Sequence, residues 1–470
     1  MSPQALPPPV SALFPTPQER RRIEDALTVD LIEVLARVQA GPVTPTIDIV
    51  SFRAELQTHD FMRVRPLADV LRWTLERLEH GIVQMANPRY FGLFNPGATF
   101  PAQCADRIAS LFNPQLASSA SSPVPVELEN HVIRAIGRRA GLHDPIAGHF
   151  ATGGSEANYT ALLCALTRAH PQFGNRGSQA FAGPIKFYTS RECHIAWLKI
   201  AHQAGVGREA LRLVPTDGRG QLDPVALQRL VSEDRAAGAI PVMIVATAGT
   251  TGGGMIDPLI PCAEICAAEG LWYHVDAAWG GAALASDRLR PLLAGIERAD
   301  SITIDAHKWF ATTMGCAMFL TTHGPLLSAA FHCSTSFMPS SLAGLDPYLN
   351  SVQWSRRFMG LRLFLALEVA GWQGLANHIA RGVAVIDLVK QRLVEAGWQV
   401  ANDSALAVLD VVPPTALGDV RPLVKRVVAS GRAWVAPTSF EGRDVVRICA
   451  THGETSAADV EELVAVLNGR

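Results

Sequence analysis

Residues 272–309 read WYHVDAAWGGAALASDRLRPLLAGIERADSITIDAHKW, and this stretch holds two short runs that each end in an acidic residue. The first run ends at Asp276, which is followed by two alanines, and the second ends at Asp305, three residues before Lys308. Short runs rich in β-branched and aromatic residues are typical of buried strands. A lysine at the end of such a strand is seldom there for packing alone. The stretch therefore predicts two buried strands whose ends carry functional side chains.

Strand-like and helix-like segments alternate on both sides of this stretch, between residues 150 and 320. The predicted strands are Ile185–Ser190, Leu211–Pro215, Val242–Thr247, Trp272–Asp276, Ser301–Asp305 and Cys316–Thr321. The predicted helices between them are Ser155–His170, Glu192–Ala204, Pro224–Ala237 and Pro258–Glu269. This alternation indicates an α/β domain with a mainly parallel sheet, and such sheets bind ligands at the carboxyl ends of their strands.

The two ends of the chain have other patterns. Helical periodicity predicts helices over Glu19–Ala40 and Pro66–His80, whereas the Gly-, Pro-, Asn- and Ser-rich composition of 90–125 predicts loops. After Arg356 the pattern predicts two long helices and then short strands and helices. The predicted organisation is an N-terminal helical segment over 1–80, a large α/β domain over 81–355 and a small α+β domain over 356–470.

Composition excludes several classes of function. The 41 lysines and arginines balance 43 aspartates and glutamates and form no basic run, so no nucleic-acid or anionic-membrane partner is predicted. No apolar run is long enough for a signal peptide or a membrane span. The eight cysteines form no CxxC pair and no metal-ligand spacing is visible, which favours a reduced cytoplasmic protein without a metal. Only five of the basic residues are lysines, so a functional amine has few candidates.

Four features fall at predicted strand ends or helix starts. Residues 152–157 read TGGSEA and open a helix, which suits an anion such as phosphate, and His194 follows the strand that ends at Ser190. Asp276 ends the first of the two strands described above, and Lys308 closely follows the end of the second. Taken singly, each has a structural explanation as a turn, a cap or a surface charge. Together an anion cradle, a carboxylate, an imidazole and an isolated lysine are the parts of a pyridoxal phosphate site.

The order of these features resembles the group II pyridoxal phosphate-dependent amino-acid decarboxylases, whose members include the aromatic L-amino-acid, histidine and glutamate decarboxylases. The resemblance covers roughly residues 80–460. The segments that carry it are HVDAAW at 274–279, AHKW at 306–309, NPRYFG at 87–92, GTT at 249–251 and VRI at 446–448. It implies the fold of type I pyridoxal phosphate enzymes with a mainly parallel seven-stranded sheet. It also implies a homodimer with its active site at the subunit interface.

Eight residues match family positions that contact the cofactor, and these are Gly154, Ser155, His194, Thr250, Asp276, Ala278, His307 and Lys308. The resemblance implies that Lys308 forms the Schiff base, Asp276 pairs with the pyridine nitrogen and His194 stacks on the ring. It further implies that Gly154 and Ser155 bind the phosphate, with His307 adjoining it. Ala278 would touch the ring, and Thr250 would sit near it.

The chain departs from the family pattern at two positions. Asp305-Ala306 stands where the family often has Asn-Pro, and a second acid beside a phosphate is repulsive, so Asp305 is assigned no phosphate contact. Phe337 stands 29 residues after Lys308, where aromatic-type decarboxylases carry a tyrosine that protonates Cα after CO₂ has left. Phenylalanine has no proton to give. The aldehyde synthases are relatives that have phenylalanine at this place.

The resemblance implies a lyase that removes CO₂ from Cα of an L-amino acid. The aromatic residues at 90–100 and Phe337 suit a pocket for an aromatic or bulky side chain, with core packing as the alternative. Phe337 favours the oxidative variant, in which O₂ intercepts the carbanion to give an aldehyde and ammonia. Simple decarboxylation to an amine stays open, with His332, Tyr348 or His194 as the proton donor, and so does β-elimination. Transamination and a non-catalytic role on the same fold are further alternatives.

Overall fold

A seven-stranded sheet forms the centre of the computed structural model, which describes residues 10–333 and 346–470. Its strands are β1 (Ala147–Ala151), β2 (Ile185–Ser190), β3 (Leu211–Val214), β4 (Ile240–Thr247), β5 (Trp272–Asp276), β6 (Ser301–Asp305) and β7 (Ala317–Thr321). Their spatial order is β1-β7-β6-β5-β4-β2-β3. Only β7 runs antiparallel to its neighbours, so the predicted mainly parallel seven-stranded sheet is confirmed.

Helices cover the sheet and both ends of the described chain. They are α1 (Pro17–Ala40), α2 (Ile49–Leu56), α3 (Leu67–Gly81), α4 (Phe100–Phe112), α5 (Pro123–Arg139), α6 (Gly154–Ala169), α7 (Phe173–Arg176), α8 (Ala196–Gln203), α9 (Pro224–Ala236), α10 (Leu259–Glu269), α11 (Gly324–Phe331), α12 (Leu361–Glu395), α13 (Val420–Ala429) and α14 (Ala457–Leu467). Within the described ranges, none of these helices has the length and apolar character needed to span a membrane.

A second, four-stranded sheet lies in the C-terminal part of the chain. Its strands are β8 (Gln399–Val400), β9 (Val408–Val412), β10 (Ala436–Phe440) and β11 (Arg443–Cys449), and they pair in the order β10-β11-β9-β8, all antiparallel. Helices α12 and α13 pack against this sheet, and α14 packs on both of these helices. The small α+β unit is thus confirmed, whereas the domain boundaries at 80 and 355 stay a prediction.

The fold differs from the sequence prediction in two places. The segment 90–125, predicted as loops, contains α4 and the start of α5. The two long helices predicted after Arg356 are present as the two parts of α12, which are separated by the non-helical Gly371 (φ 62°, ψ 178°). The helix predicted over Glu192–Ala204 begins only at Ala196, which leaves His194 in the turn before α8.

The topology brings the predicted functional residues to one edge of the large sheet. Strands β2, β4, β5 and β6 are parallel neighbours, and β1 shares their direction because it pairs antiparallel with β7, itself antiparallel to β6. Their carboxyl ends therefore lie on the same side. The segments that leave this edge carry His194, Thr250, Asp276, Lys308 and the start of α6.

Candidate active site

Lys308 lies in the tight turn that follows β6. Its Nζ is 3.0 Å from Oδ2 of Asp305, and the lysine side chain keeps 21% of its surface exposed. The backbone N–H of Lys308 donates to the carbonyl oxygen of Asp305, which fixes the turn. The amine is therefore held at the sheet edge while staying open to a ligand.

Asp276 ends β5, the strand next to β6. Its side chain is buried at 4% exposure. Oδ2 accepts a hydrogen bond of 2.8 Å from Nδ2 of Asn158, and Oδ1 accepts one of 3.2 Å from the N–H of Ala278. Both donors are neutral, and no cation of the described chain lies within ion-pair distance of this carboxylate. A buried carboxylate without a counter-charge suits a cationic ligand group such as a protonated pyridine nitrogen.

His194 lies in the turn between β2 and α8, and its ring is exposed at the sheet edge. The N–H of Ala196 donates to Nδ1 of His194 at 3.2 Å, so the proton of the neutral ring is on Nε2. Partial burial lowers the pKa of His194, and this effect outweighs the opposing attraction of the Asp276 carboxylate. A neutral, exposed imidazole is suited to lie flat on an aromatic ligand.

The start of α6 has the features of an anion site. Its N-cap is Gly153, and no side chain caps its first N–H groups. Ser155 is exposed, and its hydroxyl makes no hydrogen bond to another described residue. A Cβ added at Gly154 would lie 3.0 Å from both carboxylate oxygens of Asp305, so the acid reaches the same helix end. The phosphate-binding role of Gly154 and Ser155 remains a prediction.

The other predicted contacts lie around this edge. His307 is buried, with Nε2 3.7 Å from Oδ2 of Asp305. Ala278 is partly exposed, and its carbonyl oxygen accepts from the N–H of Asp305. The hydroxyl of Thr250 is buried and accepts from the N–H of Met255 at 3.0 Å. Phe337 lies outside the described residues, so its role stays a prediction.

Buried aromatic side chains pack next to Lys308, and Phe94 among them belongs to the aromatic group at 90–100 that the sequence suggested as a pocket lining. The Nζ of Lys308 is 5.7 Å from the ring centroid of Phe94, and Phe94 packs on Trp279 with centroids 4.6 Å apart. Trp279 in turn stacks on Trp309 at 4.5 Å and 6°. The guanidinium of Arg447, from β11, lies 5.2 Å from the same Phe94 ring. We call Phe94, Trp279 and Trp309 the aromatic wall, and the aromatic residues at 90–100 are the sequence feature that pointed to it.

The donor set fits pyridoxal phosphate. The described residues bring together an amine, a buried carboxylate without a cation, an imidazole and an uncapped helix start, which match the aldehyde, ring nitrogen, ring face and phosphate of that molecule. Within the described ranges, no group of three or more His, Cys, Asp or Glu side chains is arranged to hold a metal ion. When bound, pyridoxal phosphate withdraws the electron pair that bond cleavage leaves at Cα of an amino acid.

Comparison with known proteins agrees with this chemistry. The family model described as the pyridoxal-dependent decarboxylase conserved domain matches residues 63–402. Cysteine sulfinic acid decarboxylase of Mus musculus is 33% identical over 322 residues, which cover 67% of this chain and 65% of that protein. The aligned region spans 58% to 65% of the length of the first curated relatives.

Solved structures share the fold along nearly the whole chain. The crystal structure of mouse CSAD in apo form has a TM-score of 0.85 at 27% identity and covers 94% of this chain and 98% of that one. The structure of Oryza sativa TDC with PLP and tryptamine has a TM-score of 0.90 at 23% identity, with 97% and 98% covered. The chain therefore belongs to the pyridoxal-dependent decarboxylase family, the group II decarboxylases, and its cofactor is pyridoxal 5′-phosphate.

Proposed function

We propose that this protein removes CO₂ from Cα of an L-amino acid that has an aromatic or bulky side chain. The observation that carries the proposal is the position of the Lys308 amine, next to the strand that ends at Asp276 and beside the Phe94 ring. The amine would hold the cofactor, and the Asp276 carboxylate would accept a hydrogen bond from its protonated ring nitrogen. His194 covers the ring face, and the start of α6 binds the phosphate.

The lysine assignment is open to a direct test, because the chain has only five lysines. Borohydride reduction of the holoenzyme should fix the cofactor on Lys308, and peptide mass analysis should locate it. The adduct should vanish in Lys308→Ala and persist when Lys186, Lys199, Lys390 or Lys425 is replaced by alanine. An adduct that persists in Lys308→Ala and is lost in one of the other variants would refute the assignment.

The aromatic wall supports an aromatic or bulky substrate. The Phe94 ring lies 5.7 Å from the amine, and the buried Trp279 and Trp309 rings stack in turn on it. Ring-on-ring packing is worth about 0.5–1.5 kcal/mol beyond the area that it buries. A screen of L-amino acids with product detection by mass should therefore give the highest kcat/KM for aromatic substrates. The Phe94→Ala variant should lose most of this preference.

Arg447 favours acidic amino acids as a second substrate class. Its guanidinium is buried beside Phe94, Nη1 donates to the carbonyl oxygen of Thr251 at 2.6 Å, and Nε has no partner among the described residues. A buried donor of this kind suits a carboxylate or sulfinate, and the mouse relative is named for cysteine sulfinic acid. Under this alternative, Arg447→Leu abolishes turnover of acidic substrates and spares aromatic ones.

We further propose that the product is an aldehyde. With Phe337 in place of a tyrosine, the electron pair left at Cα after CO₂ loss passes to O₂ instead of taking a proton. O₂ is reduced by two electrons to H₂O₂, and water replaces the amine nitrogen, so one amino acid, O₂ and water give aldehyde, CO₂, NH₃ and H₂O₂. The proposal rests on the identity of residue 337 alone.

One reaction mixture separates the outcomes. The oxidative route predicts CO₂, aldehyde, ammonia and O₂ uptake in equal amounts, and the Phe337→Tyr variant should shift the product toward the amine. Amine formation by the unchanged enzyme without O₂ uptake would instead establish simple decarboxylation. Ammonia without CO₂ would indicate β-elimination from a Cβ-substituted substrate.

The assembly and location are part of the same proposal. We propose a homodimer with the site at the subunit interface, which the exposed position of His194 in the single chain supports. Small-molecule substrates and O₂ are the proposed partners, without nucleic acid or membrane. A cytoplasmic location is supported by the eight free cysteines.

A further inference from the structure

A series of buried polar side chains is linked by hydrogen bonds to the Asp276 carboxylate. Nε1 of Trp272 lies 2.8 Å from Oγ of Ser301, which lies 2.8 Å from Nδ1 of His274. Nε2 of His274 lies 3.0 Å from Oδ1 of Asn158, whose Nδ2 lies 2.8 Å from Oδ2 of Asp276. All five residues are at most 4% exposed. We call this set the Asp276 relay.

The direction of every hydrogen bond in the Asp276 relay follows from the carboxylate end. An ionised carboxylate only accepts, so Nδ2 of Asn158 donates to Asp276 and its Oδ1 faces His274. Nε2 of His274 therefore carries the proton of the neutral imidazole and donates it to Asn158. Nδ1 is then an acceptor for the Ser301 hydroxyl, whose oxygen accepts from the indole N–H of Trp272.

The four residues of the relay other than Asp276 are neutral. Burial lowers the pKa of His274 to about 4, and this effect outweighs the attraction of the Asp276 carboxylate. The hydroxyl of Thr303 also lies 3.5 Å from Nε2, and it too is uncharged. Asp276 is therefore oriented by neutral donors, so that its negative charge is not cancelled and remains available to a cationic ring.

We propose that His274 and Asn158 are positioning residues that hold the Asp276 carboxylate in place for the protonated ring nitrogen of the cofactor, and that Ser301 and Trp272 fix the tautomer of His274. The inference rests on the proposed role of Asp276 in the function given above. None of the four residues needs to touch the cofactor, because their effect reaches the ring through Asp276 alone.

The relay is tested with Asn158→Leu and His274→Phe, which keep the bulk and remove the hydrogen bonds. The visible absorption of the bound cofactor is followed against pH, and the cofactor Kd is measured. If the ring nitrogen loses its proton more readily, the ring carries less positive charge and repels a proton on the Schiff base less. The pKa of the Schiff base, and with it the pH midpoint of the spectral change, should therefore rise. Loss of a supporting side chain should also raise the Kd by about tenfold or more.

Conservative and control variants separate this role from simple stabilisation. His274→Gln keeps an N–H directed to Asn158 and should restore the midpoint toward the wild-type value. Tyr188→Phe removes a different buried hydrogen bond of the same sheet, the 2.9 Å contact to Asp234, and should leave the midpoint unchanged. If His274→Phe does not fold, Ser301→Ala is the smallest change in the relay and should raise the midpoint by a smaller amount.

Two results would overturn different parts of the account. Wild-type midpoints and Kd in folded Asn158→Leu and Ser301→Ala, together with a raised midpoint in Asp276→Asn, would refute the relay and leave the role of Asp276 intact. An unchanged midpoint in Asp276→Asn would refute the proposed role of Asp276 itself.

Discussion

Asp305 places a negative charge next to the proposed phosphate site, where phosphate binding favours neutral or positive groups. Its carboxylate pairs with the Lys308 amine and reaches the start of α6, where the phosphate is proposed to bind. We expect Asp305→Asn to lower the cofactor Kd by about tenfold, or about 1.4 kcal/mol, because the change removes an anion beside the phosphate and releases the lysine amine. Titration of the apoenzyme by absorption or fluorescence measures the Kd.

A matched surface change controls for the loss of one negative charge. Asp287 is 78% exposed and pairs with Arg139 outside the site, so Asp287→Asn should leave the Kd unchanged. If cofactor binding weakens in Asp305→Asn, the carboxylate is a required partner of Lys308 and the repulsion argument is wrong.

His149 on β1 is a buried histidine that the site does not use. Neither ring nitrogen has a hydrogen-bond partner among the described residues, and burial lowers its pKa to about 3. A pKa that is lower in the folded than in the unfolded state means that stability is fully present above about pH 6.5 and is lost as the pH falls toward 3. When the pH falls from 7 to 5, the free energy of unfolding of His149→Phe should therefore decrease by about 2 kcal/mol less than that of the unchanged protein.

Urea unfolding at several pH values measures this difference, with His131→Phe as the control because His131 is exposed on α5. Parallel pH profiles for the unchanged protein and His149→Phe would show that His149 does not stay neutral in the folded state.

Some residues of the site were predictable from the sequence and others were not. Asp276 and Lys308 were predictable at the ends of their strands, because the apolar runs before them are clear. Asn158 was not, since its contacts to His274 and Asp276 join residues 116 and 118 positions apart and only the sheet brings them together. Phe94 belonged to the aromatic group at 90–100 that was suggested as a pocket lining, but its contacts to Trp279 and Arg447 were not predictable, because these neighbours come from distant elements.

At the scale of elements, most buried strands were predicted better than the two helices of the loop-rich segment 90–125. The bounds of β2, β5 and β6 agree with the prediction, because parallel strands buried on both faces leave nearly continuous apolar runs. Helices α4 and α5 carry proline in their first turn, where the missing N–H costs nothing, yet proline in a loop-rich composition predicted loops.

A buried ion pair joins α5 to the segment before α12. Nη1 of Arg356 is 2.6 Å from Oε2 of Glu129, and these side chains are 2% and 4% exposed. Oε1 of Glu129 also accepts from the N–H groups of Met359 and Gly360. We expect Arg356→Met to lower the unfolding free energy by about 3–5 kcal/mol, because Glu129 is left buried without a cation. Chemical denaturation measures this loss.

The neighbouring arginine supplies the control. Arg357 is 69% exposed and lies 3.8 Å from Asp106, so Arg357→Met should cost less than about 1 kcal/mol. Equal losses for the two variants would show that the Arg356–Glu129 pair contributes no more than a surface contact does.

For the molecule as a whole, the exposed apolar surface of the single chain is concentrated in its N-terminal helices and α4. Ile32 on α1 is 66% exposed, and Leu111 and Phe112 on α4 are 73% and 74% exposed. Burying one such side chain contributes about 1.5–3 kcal/mol, so a second copy of the chain that covers this surface gains considerable stability. We propose that these helices, which carry none of the proposed cofactor contacts, form part of the interface of the proposed homodimer.

The double variant Ile32→Glu with Leu35→Glu tests this role, because two charges placed on the exposed face of α1 have to be desolvated when a second subunit covers it. Light scattering should show a mass of two chains for the unchanged protein and of one for the variant, and the variant should lose its cofactor absorption on gel filtration because the proposed site is completed at the interface. Val394→Glu, at a half-exposed position near the end of α12, should stay dimeric and keep the cofactor. A dimeric double variant would place the interface elsewhere, whereas a monomeric variant that retains the cofactor would show that each chain builds its site alone.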